Sequence, residues 1–229
     1  MLPQILLIGA TGRTGRLVLD EALKRGHSVT VLVRNPNSDL PQHQNLTIVT
    51  GDPCKASDIG SALRATKSSI PIVIVSTLGQ TRTSGNPWAA TTSPGRFMET
   101  SIEAVISGAK SSAEPARIQK LVVMSMFGAG DSFDNLNCMM QWIMKCSNMY
   151  QTWEDHNLVD KAVRAGGLPF VMVRPGMLKD TDAIPLKFYG SDGKGSGFMP
   201  SASMRSVAGF LLDVTVDEAY DWKTPVIAN

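Results

Sequence analysis

The chain has 229 residues, of which 43% are hydrophobic and 18% charged, and its net charge is +2. That length suits one α/β domain with a full core, and the composition excludes a disordered or fibrous chain. Its scattered basic residues leave no nucleic-acid footprint, and apolar runs such as IPIVIVS fall far short of the ~20 residues of a membrane helix.

In chain order, QILLI (4–8) predicts a first strand, and GRTGRLVLDEALKRG predicts a helix from about Gly12 that stops at Gly26. SVTVLVR (28–34) and LTIVT (46–50) predict the second and third strands, with a helix in KASDIGSALRAT. PIVIVST (71–77) is the fourth strand, followed by a helix through FMETSIEAVISGAKSS. KLVVMS (120–125) is the fifth strand, and a helix over about 150–165 leads to the sixth, PFVMVRPG. A helix over about 201–213 and a short strand, TPVIA, close the chain. Near-continuous apolar strands alternating with amphipathic helices predict an α/β fold, a Rossmann-type doubly wound parallel sheet in a single domain spanning 1–229. The region from about 178 to 229 is expected to cover the substrate.

Segments 79–97, 126–149 and 178–200 read as long loops after strands 4, 5 and 6. Ligands of open α/β sheets bind at that edge, so long loops there point to a substrate pocket. Several of the 12 Met residues fall in the second segment, beside Phe127, Phe133, Trp142, Tyr150 and Trp153. Met and aromatic side chains there suit either an adaptable apolar pocket or the core face of a helix. Cys54, Cys138 and Cys146 show no metal-ligand spacing, and MLPQILLIGATG lacks a basic leader. Reduced thiols, no metal site and a cytoplasmic location are therefore expected. No helix face stands out as an oligomer surface.

GATGRTGR places Gly9, Gly12 and Gly15 between the first strand and the first helix. In that context the glycines let a diphosphate approach the N–H groups of a helix N-terminus. The alternative is a tight turn with close strand–helix packing. The spacing is G-x-x-G-x-x-G, and the second strand ends in Arg34 where NAD-binding proteins carry an acidic residue. An Arg there accommodates the 2′-phosphate of NADP, and Arg13 can close on the same phosphate. The cofactor expected is NADP(H).

Five stretches carry a wider resemblance: ILLIGATGRTGRLVLDEALKRGHSVTVLVRNP, GDP (51–53), VSTLG (75–79), KLVVMSMFGAG (120–130) and AVRAGGLPFVMVRPGML (162–178). Their order resembles the atypical short-chain dehydrogenase/reductases, closest to NmrA-like proteins and the small flavin/biliverdin-IXβ reductase-like group. The resemblance implies that Thr11, Gly12, Arg13 and Thr14 wrap the diphosphate and Arg34 holds the 2′-phosphate. It places Asp52 near the adenine, although a turn before Pro53 would also explain that residue. Thr77, Leu78 and Gly79 would pass under the ribose and nicotinamide, with Ser125 near the nicotinamide. Pro175, Gly176 and Met177 would cover the carboxamide.

The catalytic end departs from the ordinary pattern. Y-x-x-x-K is missing: Tyr150 is followed four residues later by Glu154. Counting back from RAGGL, the usual Lys position falls on His156 and the Tyr position on Thr152. His156 can shuttle protons near neutral pH, with Asp160 one turn on to orient it, or it is simply a helix histidine. Ser125, Tyr150, Glu154 and Asp155 are further candidates. These residues predict an oxidoreductase acting on a bulky, apolar, conjugated or imine-type small molecule of natural-product chemistry. Two alternatives stay open: a cofactor-assisted cyclisation or cycloaddition, and a non-enzymatic NADP sensor in the manner of NmrA.

Overall fold

Five buried residues form strand β1 (Gln4–Ile8), and their side chains alternate between two cores. Ile5 and Leu7 enter one core, and Leu6 and Ile8 the other. A strand with helices on both faces has no solvent side, which is why the run is apolar at every second position and between. The computed structural model describes residues 2–66, 70–112 and 114–229. In chain order β1 is followed by α1 (Arg13–Lys24), β2 (Val29–Val33), β3 (Leu46–Thr50), α2 (Ala56–Arg64), β4 (Ile72–Ser76) and α3 (Phe97–Lys110). Next come β5 (Ile118–Met124), α4 (Cys138–Cys146), α5 (Met149–Ala165), β6 (Phe170–Pro175), β7 (Met177–Lys179) and β8 (Lys187–Phe188). The chain ends with β9 (Ser201–Ser203), α6 (Met204–Val216) and β10 (Val226–Ala228).

The described strands form one large sheet in the order β3-β2-β1-β4-β5-β6-β10-β8, and a small β7–β9 pair beside it. Every pairing is parallel except β10 with β8. This is the doubly wound α/β architecture predicted from the alternation of strands and helices. Helices α1 and α6 cover one face, through Val18, Leu19, Val207 and Leu211. Helices α2, α3 and α5 cover the other, through Ile59, Ile102, Val105 and Val159. Full burial of each such side chain contributes roughly 1.5–3 kcal/mol.

The strand order reverses between β1 and β4, which opens a crevice at the C-terminal ends of the strands. The register fixes what stands along it: Ile8 pairs with Leu32 and Ser76, and Met124 with Val173. The residues just beyond these positions are Gly9, Arg34, Thr77, Ser125 and Gly176, so residues far apart in sequence share one edge.

Two expectations change, on the segment 126–149 and on the start of the last helix. β3 is the sheet edge, and its residues are only partly covered, Ile48 being half-exposed. The segment 126–149 holds helix α4, which packs Met140 and Met144 against Phe127 and Leu136 and leaves Met139 and Trp142 exposed, so its Met residues divide between a core face and an open one. The last helix starts at Met204 because Ser201–Ser203 pairs with β7 and the Ser203 hydroxyl accepts from the Arg205 and Ser206 amides. Within the C-terminal region α6 packs under the sheet and β10 lies between β6 and β8, while 179–192 is mostly exposed.

Candidate cofactor and proton-transfer site

The three glycines of the first turn do different work. Gly9 has φ +95°, and a Cβ on it would stand 2.8 Å from Thr77 Oγ1. A Cβ on Gly15 would stand 2.0 Å from the Gly9 carbonyl oxygen. Both therefore serve close packing of turn, helix and β4. Gly12 differs: its Cβ would meet only the Gly9 oxygen, at 3.3 Å, and the residue is exposed. It is the N-cap of α1, with no side-chain cap and no acidic residue in the first turn. The first N–H groups of a helix lack intrahelical partners and favour an anion. An uncapped N-terminus beside an unblocked glycine fits a diphosphate. Thr11 and Arg13 flank it exposed, while Thr14 is buried.

At the next strand end, Arg34 is exposed and its guanidinium carbon lies 5.7 Å from the centre of the Phe97 ring. Neither Arg13 nor Arg34 forms an ion pair among the described residues. Two uncompensated guanidinium groups near one turn suit a phosphate. Arg16 has another role: it pairs with Asp39 and holds the loop after β2. Asp52 makes the turn that the sequence left open, accepting from the Cys54 amide at 3.0 Å while its own amide donates to Asp58 Oδ2.

Thr77 is buried and tied to the Ile8 carbonyl through both its amide (2.9 Å) and its hydroxyl (3.2 Å). Leu78 is half-buried, and Gly79 is exposed with open space where a Cβ would sit. Across the crevice, Pro175 and Gly176 are buried, and a Cβ on Gly176 would stand 2.4 Å from the Pro200 oxygen. Met177 is exposed beyond them.

Ser125 and His156 come together: Ser125 Oγ is 3.4 Å from His156 Nδ1, and both side chains are buried. Burial pushes the imidazole down from 6.5 to about 4, against a smaller opposing pull from Asp155. His156 is therefore neutral at pH 7, and burial disfavours its protonated form.

The other candidates lie elsewhere. Asp155 is buried, and its carboxylate accepts from the Met98 amide (3.0 Å), the Glu99 amide (2.9 Å) and Gln80 Nε2 (2.9 Å). It caps α3. Asp160 does not orient His156, contrary to the i+4 spacing. It binds Arg174 Nη2 at 2.8 Å and Arg164 Nε at 2.7 Å, because charged donors outcompete a neutral ring. Tyr150 is exposed against Trp153, six residues or about 9 Å of helix before His156. Glu154 is exposed. Thr152, at the usual Tyr position, donates to Gln80 Oε1 at 3.1 Å.

Arg174 escaped the sequence analysis. It is fully buried in β6 and binds Asp160, Asp131 and the Ser191 carbonyl, so it joins α5 to the loops after β5 and β6. Its signal was a lone Arg inside the apolar run FVMVRP. Trp153 Nε1 donates to the Gly128 carbonyl at 2.7 Å and fixes the same loop. Trp88, Met139, Trp142, Phe198 and Met199 are exposed. The Trp88 and Trp142 rings lie 6.2 Å apart, Asn148 donates to the Trp88 carbonyl, and Asn137 donates to the Phe198 carbonyl. The loops that carry Trp88 and Phe198 and the helix α4 thus present one apolar rim.

The model of the NAD(P)H-binding family matches residues 9–218. ChuY, an anaerobillin reductase from Escherichia coli O157:H7, is 21% identical with a TM-score of 0.74, covering 98% of this chain and 96% of its own. A short-chain dehydrogenase/reductase from Veillonella parvula DSM 2008, in complex with NADP, is 12% identical with a TM-score of 0.73, covering 100% and 95%. The oxidoreductase ylbE from Lactococcus lactis is 14% identical with a TM-score of 0.73, covering 99% and 90%. These neighbours share the fold. Among the described residues no helix is long and apolar enough to cross a membrane.

Proposed function

Because the chain belongs to the NAD(P)H-binding family, we propose that it is an oxidoreductase that uses NADP(H) in preference to NAD(H). Its substrate is a bulky, apolar, conjugated or imine-type small molecule. The observation that carries this reading is the buried Ser125–His156 contact at the C-terminal end of β5. That ChuY is an anaerobillin reductase supports reduction as the reaction type.

The nicotinamide, when bound, supplies the hydride. The residues of the chain do the rest. The α1 N-terminus at Gly12 binds the diphosphate, and Arg13 and Arg34 bind the 2′-phosphate. Thr77 to Gly79 and Pro175 to Met177 border the nicotinamide end from two sides. Trp88, Trp142 and Phe198 take up apolar substrate surface and exclude water. Ser125 holds a proton at Oγ, within reach of a substrate heteroatom. As Ser125 gives that proton up, His156 Nδ1 replaces it and Nε2 takes one from solvent, so the ring stays neutral throughout.

The test mixes the protein with NADPH and a panel of imines, flavins and enones and follows NADPH absorbance. Consumption with at least one class supports the reading, and none across the panel counts against it. A second reading, cyclisation over a bound cofactor, draws on the missing Y-x-x-x-K and on the apolar rim. A skeleton change with NADP⁺ as well as NADPH, without net consumption, would favour it.

A further inference from the structure

We propose that Phe97 and Asp155 are positioning residues for cofactor preference, holding Arg34 where a 2′-phosphate reaches it. The inference rests on the role given to Arg34 above.

Helix α3 begins abnormally. Its N-cap, Arg96, has φ +56° and offers no side-chain cap, and the Arg96 side chain is instead clamped on Glu99, Nη2 to Oε1 at 2.6 Å. The amides of Met98 and Glu99 are satisfied from a different helix, by Asp155 of α5. A carboxylate at a helix N-terminus meets both its open N–H groups and its dipole. Asp155 therefore fixes where α3 starts, and the first residue of α3 is Phe97.

Phe97 is buried, and its ring faces the Arg34 guanidinium at 5.7 Å. A cation over a ring face is attracted by the quadrupole. The contact restrains a long side chain that forms no ion pair among the described residues, which lowers the ordering entropy of phosphate binding. From Asp155 to Met98 to Phe97 to Arg34 the line is continuous. Asp155 also neighbours His156 in sequence, so both ends of the site are hung from one anchor.

The test is equilibrium binding of NADPH and of NADH by calorimetry to wild type, Arg34→Ala, Phe97→Leu, Phe97→Tyr and Asp155→Asn, with melting curves for each. Wild type should favour NADPH. Arg34→Ala should remove most of that preference. Phe97→Leu should lower the NADPH-to-NADH affinity ratio about three- to tenfold, and Phe97→Tyr should restore it. Asp155→Asn replaces one acceptor oxygen with a donor, and it should lower the ratio in the same direction. Adding Phe97→Leu to Arg34→Ala should change the ratio no further. If Arg34→Ala lowers the ratio but Phe97→Leu leaves it at the wild-type value, or weakens both cofactors equally, the inference is overturned. An unchanged ratio in Arg34→Ala would overturn the role of Arg34 and this inference with it. A wild-type ratio in Asp155→Asn overturns the role of Asp155; should that variant fail to fold, the Phe97 pair decides for Phe97, and Asp155→Glu, whose longer side chain displaces the start of α3, should lower the ratio, a wild-type ratio again overturning the role of Asp155.

Discussion

Ser125 Oγ and His156 Nδ1 stand 3.4 Å apart although 31 residues separate them, one at the end of β5 and the other in the middle of α5. Neither residue is the Tyr or Lys of the usual Y-x-x-x-K pattern, although His156 falls at its Lys position. The pair occupies the same edge of the sheet, in a site from which solvent is largely excluded.

Burial has a consequence for stability against pH. His156 is pushed down to about 4 in the folded state, while an unfolded histidine keeps its ordinary 6.5. Between these values the unfolded chain binds a proton that the folded chain does not, so stability falls as pH drops through that window. His156→Gln should flatten the dependence of unfolding free energy on pH between 6.5 and 4, by an amount on the order of 3 kcal/mol. Denaturant titrations at a series of pH values measure it. An unchanged slope would place the histidine in a solvated environment.

The glycines of the first turn should separate by substitution. Gly15→Ala drives a Cβ to 2.0 Å from a backbone oxygen and should destabilise the fold by about 1–3 kcal/mol. Gly12→Ala meets one atom at 3.3 Å and should fold normally. It should still lose about tenfold or more in NADPH affinity, because the methyl group intrudes on the diphosphate turn. Melting curves and NADPH titrations on the two variants read both effects.

Arg174→Met removes one partner of a buried ion-pair cluster and leaves Asp160 short of a donor. The expected cost is about 3 kcal/mol of stability. Since Arg174 also holds the Ser191 carbonyl and Asp131, limited proteolysis should become faster within 178–200 and near 130. Loss of stability without new cleavage sites would confine Arg174 to the core.

The apolar rim should act on the substrate alone. Trp88→Ala and Trp142→Ala should each raise KM for an apolar substrate about five- to tenfold while leaving kcat and NADPH affinity near wild type. Equal loss of NADPH affinity would place the pair at the cofactor instead.

Much of this was legible from local pattern. Glycine spacing, the strand-ending Arg34 and the apolar alternation each depend on neighbours in sequence, so the fold could be read directly and the cofactor end proposed from the same pattern. Long-range contacts could not. Asp155 looked like a candidate acid because nothing nearby reveals that its carboxylate meets amides 56 and 57 residues away. Asp160 has the right helical spacing to orient His156, yet Arg174 from β6 claims it. Helix α4 hid in a segment rich in turn formers, since Asn137 caps it locally by accepting from the Met140 amide.

The most direct measurement is the rate of NADPH oxidation with whichever substrate class turns over, compared among wild type, Ser125→Ala and His156→Gln, with NADPH affinity measured alongside. Proton delivery by the buried pair predicts that kcat falls about 100-fold or more in each variant and no further in the double variant, with NADPH affinity unchanged. Wild-type turnover in both single variants would contradict it.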